Sequence, residues 1–377
     1  MRFLDAGETH GYGLVGILEG FPANVRINID NINKLLKLRQ KGYGRGGRMK
    51  IESDQVKFLS GVRNGKTLGS PISIFIENKD YKNWEEYMSP DRCDIETKKV
   101  TIPRPGHADL PGIIKYDTND ARNILERASA RETAMRVAIG ALCEELLKYF
   151  NIKLYNHVVE IGNIKSNYNI DDVINNYTKI ENSELFCADP ISELKMKETI
   201  DIAKENGDSL GGIAEVICEN VPIGLGSHTH WDRRLDAQIA YSVMGIQSVK
   251  GVEIGLGFEY SKRTGSKCHD EIFFDNQKGF YRKTNNAGGI EGGISNGEKI
   301  VVRAVFKPIP TLYKPLKSVD IVTKQEVLSS IERSDICAVP AGSVVMRSAI
   351  AFVLANALTE RLSSDTIEDM LESIKII

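Results

Sequence analysis

Residues 129–147 constrain this chain more than any other stretch, because they spell a helix with almost no face left for water. Met135, Ile139, Leu142 and Leu146 recur at helical spacing, and Ala134, Val137, Ala138 and Ala141 line the adjoining faces. A helix that is apolar nearly all round is a central, buried one. Ser129 followed three residues later by Glu132 has the form of a capping box and predicts a start at Ala130. The same first turns carry Arg127, Arg131 and Arg136, the wrong sign for the positive end of a helix dipole. Two explanations fit the stretch equally. An anion sits there, held by free backbone N–H groups and guanidinium forks, or the arginines pair with Asp120, Glu126 and Glu132.

The rest of the chain narrows the class. At 377 residues it is long enough to bury a large core, and no repeat, heptad array or linker divides it, so one domain over 1–377 is expected. A net charge of −2 implies no general attraction to nucleic acid or acidic membranes. The six cysteines form no C-x-x-C pair and read as reduced thiols. The first residues lack a signal-like apolar run, and no apolar stretch approaches the length of a membrane span. A soluble, cytoplasmic protein is expected. Glycine clusters in five loops, which suggests a site built from loops on a rigid scaffold.

In chain order, His10 lies between Gly7 and Gly11 and reads as either functional or structural. Residues 11–29 alternate weakly and predict strand, turn and strand. Asp30 is expected to cap a helix that runs to Lys41 and stops at Gly42. Gly42, Gly44 and Gly47 fit G-x-G-x-x-G, but a dinucleotide fingerprint needs a strand before it and a helix after it, and the order here is reversed. The loop reads as a basic one, with Arg39, Arg45 and Arg48 aimed at phosphate or carboxylate. A solvated charge run is the alternative. Gly61 to Thr67 falls one residue short of a Walker A loop, with Ser60 in the first glycine's place, so a nucleotide P-loop is rejected. Its flanks, VKFLSGV and SPISIFIEN, predict a hairpin. Pro103, Pro105 and Gly106 frame His107, and Asp109 is near enough to orient that ring.

Beyond the central helix, a strand is expected at 152–164, peripheral helices over 166–206 and a core strand after Asp208. A helix from Arg233 to Gln247 carries the stripe Leu235, Ile239, Val243 and Ile246, and a strand follows from Val249 to Phe258. KIVVRAVFKPIPT begins as a strand, and a last apolar helix runs from Ser343 to Glu360. His228 and His230 would share one face if they lay on a strand, but no further histidine or cysteine is near, and no metal is expected.

Eight motifs fall in one order along more than three hundred residues: GETHG from Gly7, GYGRGGRM, RPGHAD, ERASARET, GVEIGLGF, AGGIEGG, KPIPT and RSDICAVPA. In that order they resemble the chorismate synthase family. Thr9 stands where the family more often has serine, and the hydroxyl is kept. The resemblance implies an α+β fold, a sandwich with helices packed between two antiparallel sheets, and a homotetramer. It implies the last step of the shikimate pathway, in which 5-enolpyruvylshikimate 3-phosphate loses phosphate and a ring hydrogen to give chorismate. The reaction is redox-neutral yet uses reduced FMN as a transient electron donor. NADPH or a separate flavin reductase would reduce the flavin.

Carried over by position, the resemblance assigns flavin contacts to Arg127, Ala128, Ser129, Gln247, Ser248, Gly292, Lys307, Pro308, Ile309, Pro310, Thr311 and Arg333. It makes His10 the acid for the leaving phosphate and His107 the acid toward reduced flavin near N1. Asp335 would relay the ring proton passed through flavin N5. Arg39, Arg45, Arg48, Arg131 and Arg136 remain for substrate or NADP. Such a substrate, with two carboxylates and a phosphate, carries roughly −3 to −4 near neutral pH and calls for several guanidinium groups. A different flavin enzyme on the same scaffold is the rival reading. A nucleic-acid-binding arm over Lys34–Lys50 is disfavoured by overall acidity and the lack of an aromatic stacking series.

Overall fold

Alternation of buried and open positions builds the first of two antiparallel sheets. Its strands are β1 (Arg2–Ala6), β2 (Gly13–Glu19), β3 (Val56–Ser60) and β4 (Ile72–Glu77), in spatial order β1-β2-β4-β3. Leu14 and Leu18 of β2 and Ile72, Ile74 and Ile76 of β4 are fully buried on one face. The expected hairpin is the β3–β4 pair, with a bulge between Phe58 and Ser60. The strand, turn and strand expected over 11–29 are only half present. After β2 the N–H groups of Ala23, Asn24 and Ile27 bond to the carbonyls of Asp365, Thr67 and Gly65, which leaves no ladder for a second strand. The partner of β2 is instead β1, in the register Leu4 to Ile17. The computed structural model describes residues 1–45, 53–92, 94–277, 279–332 and 334–376.

The second sheet holds β5 (Lys153–Ile161), β6 (Ile164–Lys165), β7 (Gly212–Glu219), β8 (Val249–Ile254) and β9 (Ile300–Phe306), in spatial order β8-β9-β7-β5-β6. The strand expected to reach Phe258 stops at Ile254. There Gly255, at φ 60°, approaches the carbonyl of Asn286 too closely for any side chain.

Five helices matter for the site: α1 (Ile29–Gln40), α2 (Arg122–Ala128), α3 (Thr133–Leu147), α4 (Leu235–Met244) and α5 (Val339–Leu362). Asn28 caps α1 by accepting from the Asp30 N–H, so the cap lies two residues earlier than expected. The central helix is as buried as its sequence requires, with Arg136 and Glu144 alone among its fifteen residues not buried. Its start differs from expectation. Ser129 accepts from the Arg131 N–H, but Glu132 does not reach back, and the Ser129 N–H bonds to Leu125. A single 3-10 turn, Ala130–Glu132, intervenes before α3. Arg127 therefore belongs to the last turn of α2, the end where a cation is favourable.

α3 packs on β2 and β4 and also on α5, and α5 packs on β5 and β7. Small residues set these distances. A Cβ on Gly16 would lie 2.5 Å from Met135 Sδ, one on Gly140 would lie 2.3 Å from the Ser348 carbonyl, and one on Gly342 would lie 2.5 Å from the Phe306 ring. Arg347 of α5 binds Glu144 of α3 bidentately, at 2.7 and 2.6 Å. One apolar cluster runs from Leu14 to Met370, and the fold is α+β. α5 is, contrary to expectation, long and apolar enough to cross a membrane by length and composition, but 89% of that stretch is buried within the protein's own core. Cys143, Cys187, Cys218, Cys268 and Cys337 are free and buried.

The α3–α5 contact yields a direct test. Gly140→Leu forces side-chain atoms into the Ser348 backbone and should lower stability by about 1–3 kcal/mol or more, read from urea unfolding. Unchanged stability would mean that the two helices are free to part.

Candidate functional site

Asp54 is fully buried between two arginines that are also buried. Its Oδ1 accepts from Arg131 Nη1 at 2.7 Å, and its Oδ2 faces Arg39 Nη1 at 3.6 Å. Burial pulls the Arg39 guanidinium down to about 10, against the attraction of Asp54. Two guanidiniums thus share one carboxylate, and Arg39 Nη1 and Arg131 Nη2 are buried without a hydrogen-bond partner among the described residues. Arg39 also donates to the Ala130 carbonyl and the Thr133 hydroxyl, tying α1 to the entry of α3. Arg131 Nε donates to Asn78 Oδ1, and the Asn78 amide donates to the carbonyls of Glu8 and Gly11. The arginine group therefore fixes the loop that carries His10.

His10 Nδ1 lies 2.8 Å from Glu126, and its ring stacks on Trp84 at 3.8 Å. His107 repeats the pattern. Its Nδ1 lies 2.5 Å from Asp109, which also accepts from the backbone and guanidinium of Arg104. Burial alone would raise the Asp109 carboxyl, but hydrogen bonds from His107 and Arg104 outweigh it and hold the group well below the usual carboxylate range. Arg104 continues to the Thr311 hydroxyl at 3.0 Å.

A third group lies between them. Arg127 pairs with Asp5 at 2.7 Å, and Arg136 with Glu132 at 3.0 Å. Burial, then Asp5, push the Glu132 carboxyl up, with Arg136 and Gln247 opposing. Gln247 donates to Glu132, the Ser248 carbonyl accepts from the Lys307 N–H, and the Lys307 ammonium reaches the carbonyl of Gly106 beside His107. Ser248 sits at φ 73°, a conformation that side chains rarely adopt. Arg45 pairs with Asp335 at 3.1 Å, and the Ile336 N–H bonds to the Gly44 carbonyl.

The family model described as chorismate synthase matches residues 1–359. A chorismate synthase of Caldicellulosiruptor saccharolyticus is 70% identical over 377 residues, covering 100% of this chain and 99% of the relative. One of Alkaliphilus metalliredigens is 56% identical, covering 99% and 98%. A crystal structure titled as chorismate synthase superposes with a TM-score of 0.80 at 44% identity, covering 99% of this chain and 96% of that one.

The chain belongs to the chorismate synthase family. It is a lyase of that class, acting on a small molecule.

In this chain the expected arginine partners are mostly non-local. Of the pairs expected near the central helix, Arg136–Glu132 forms, whereas Arg127 turns to Asp5 and Arg131 to Asp54. Asp120 instead caps the N–H groups of Val100 and Arg122. Arg48 and Arg333 lie outside the described residues. Gly292 stands apart from the network, on the turn between Ile290–Glu291 and Ile294–Ser295, where Glu291 pairs with Arg282. His228 and His230 lie on no strand, and His230 turns to Asp232 at 2.6 Å on the surface. Sequence reasoning missed Asp54, Asn78, Trp84 and Arg104. Only Arg104 carried a signal, since it opens the RPGHAD motif.

Two outcomes follow from these charges. Asp54→Ala strands two buried guanidiniums and should cost about 3–5 kcal/mol in urea unfolding. Asp109 has a depressed folded value, so its contribution is complete above the unfolded value near 4 and fades as pH falls through the lower folded one. The stability gap between wild type and Asp109→Asn should narrow as pH falls below about 4. A gap that widens on acidification would contradict the assignment.

Proposed function

We propose that this chain converts 5-enolpyruvylshikimate 3-phosphate to chorismate by an anti-1,4 elimination of phosphate. The observation that carries this reading is the buried pair Arg39 and Arg131 sharing the single carboxylate of Asp54. A polyanionic substrate supplies the missing negative charge. Arg45 and Arg136 extend the same anion site, on which NADP would also be held, and Arg48 is assigned to it from the sequence alone.

The residues assigned to reduced FMN fit such a group. Gln247 Oε1 is buried with no hydrogen-bond partner among the described residues, and burial, then Lys250, lower the Lys307 ammonium. Arg127, Ala128, Ser129, Gln247, Ser248, Lys307, Pro308, Ile309, Pro310 and Thr311 would hold it, with Gly292 and Arg333 assigned by resemblance. When bound, reduced FMN supplies transient electron density that eases departure of the allylic phosphate. The chain's own residues bind, orient and move protons. His10 gives a proton to the leaving phosphate, His107 holds one toward the flavin, and Asp335, anchored by Arg45, receives the one lost from the ring. NADPH or a separate flavin reductase supplies the electrons.

The same reading makes the chain one domain with its helices sandwiched between the two sheets. The unbroken apolar cluster and the succession of Gly16, Gly140 and Gly342 contacts support this. We place it in the cytoplasm as a homotetramer. Free buried thiols suit a reducing compartment, and exposed Tyr241, Met244, Phe274 and Phe280 suit subunit contacts.

His10→Ala and His107→Ala should each lower turnover by about 10²–10⁴-fold, the usual share of an acid, in an anaerobic assay with pre-reduced FMN. Substrate capture should survive. Near-normal turnover of either variant, or full activity with flavin excluded, would overturn the reading.

A further inference from the structure

A carboxylate exposed by only 2% must fill its oxygens. Glu126 does so with His10 above all. Its Oε2 accepts from the His10 backbone N–H at 2.8 Å, and its Oε1 meets His10 Nδ1 at 2.8 Å and Arg122 Nη1 at 3.4 Å. The Glu126 carbonyl accepts both from the Thr9 N–H at 2.9 Å and from the Thr9 hydroxyl at 2.7 Å. One residue of α2 therefore grips residues 9 and 10 by backbone and side chain together. The His10 ring lies on Trp84 with centroids 3.8 Å apart and planes at 22°, and Arg122 lies over the same indole at 5.3 Å. Trp84 fixes the plane of the imidazole, and Glu126 fixes its rotation within that plane.

On the reading of His10 as the acid for the leaving phosphate, we propose that Glu126 is its positioning residue. By accepting from Nδ1 it selects the tautomer in which Nε2 gives up and regains the mobile proton.

The chemistry allows one arrangement. Burial would raise the Glu126 carboxyl, but hydrogen bonding and charge from His10 outweigh it, with Arg122 adding to them, and the group stays ionised. An ionised carboxylate only accepts, so Nδ1 must donate. The doubly protonated ring then loses its Nε2 proton to a phosphate oxygen as the allylic C–O bond breaks and its electron pair leaves with the phosphate. The neutral ring left behind carries its proton on Nδ1, the form that Glu126 binds. His107 has a counterpart in Asp109, two residues away in sequence. Glu126 is 116 residues from His10 and shows its role only in the folded chain.

The test uses Glu126→Gln, whose amide can donate to Nδ1 and reverse the tautomer. Turnover should fall about 10²–10⁴-fold, as when a carboxylate behind a working histidine is neutralised, with KM changed less than about threefold. Nitrogen-15 spectra of histidine-labelled protein, at a pH where the ring is neutral, should show His10 protonated on Nδ1 in wild type. The signal is assigned by its loss in His10→Ala, and in Glu126→Gln it should move to the Nε2-protonated pattern. Glu126→Asp, which keeps the charge, should recover part of the rate. A merely structural role would change yield or melting temperature and leave the tautomer of the folded fraction alone. A folded Glu126→Gln with wild-type spectrum and rate, beside a slow His10→Ala, overturns the proposal alone. Near-normal turnover of His10→Ala overturns the acid reading and the proposal with it. If Glu126→Gln fails to fold, an Nε2-protonated His10 in wild type is itself decisive against the proposal.

Discussion

The carboxylate of Asp54, buried between Arg39 and Arg131, is the interaction on which the site depends. Three segments meet there: the end of α1, the chain before β3 and the 3-10 turn ahead of α3. Through Arg131 and Asn78 the same contact reaches the carbonyls of Glu8 and Gly11, and so places His10. Burying charge in this way is expensive, and a hydrophobic triad of similar volume would serve stability as well or better. On the proposed reading, what the arrangement provides is two guanidiniums beside one carboxylate in a dry place, where they would attract an anion far more strongly than in water.

The two histidines are held alike. Each presents Nδ1 to a carboxylate that is itself bonded to an arginine: Glu126 with Arg122, and Asp109 with Arg104. Rings held so have their orientation set before any ligand arrives, and on the proposed reading that is the form preorganisation takes for proton transfer. Between them, Glu132, Gln247, Ser248 and Lys307 form a connected strip that includes a strained serine, and strain of that kind persists only where the surroundings enforce it.

Much of this was legible in order and little of it in partnership. The stripe of Met135, Ile139, Leu142 and Leu146 announced a central helix because a 3.6-residue period survives whatever packs against it. The Asp109–His107 contact could be expected from two residues of separation, and Arg136–Glu132 from four. Arg127 and Asp5 are 122 apart, and Arg131 and Asp54 are 77 apart, and no local pattern encodes such pairs. The helix start was misplaced for a related reason. The reach-back that completes a capping box was lost because Glu132 turns instead to Arg136, one helical turn on, and to the distant Gln247. Family resemblance supplied roles for individual residues, and geometry supplied what holds them.

If an anion completes the Arg39–Asp54–Arg131 group, calorimetric titration of 5-enolpyruvylshikimate 3-phosphate into wild type and Arg39→Met is the most direct test. The variant leaves Asp54 and Arg131 as a balanced pair, and urea unfolding run beside the titration checks that losing the Arg39 bonds to Ala130 and Thr133 leaves the protein folded. Loss of one charge-assisted contact in a desolvated site is worth about 2–5 kcal/mol, so the dissociation constant should rise by about 30-fold or more. An unchanged constant at matched pH and salt would contradict the account.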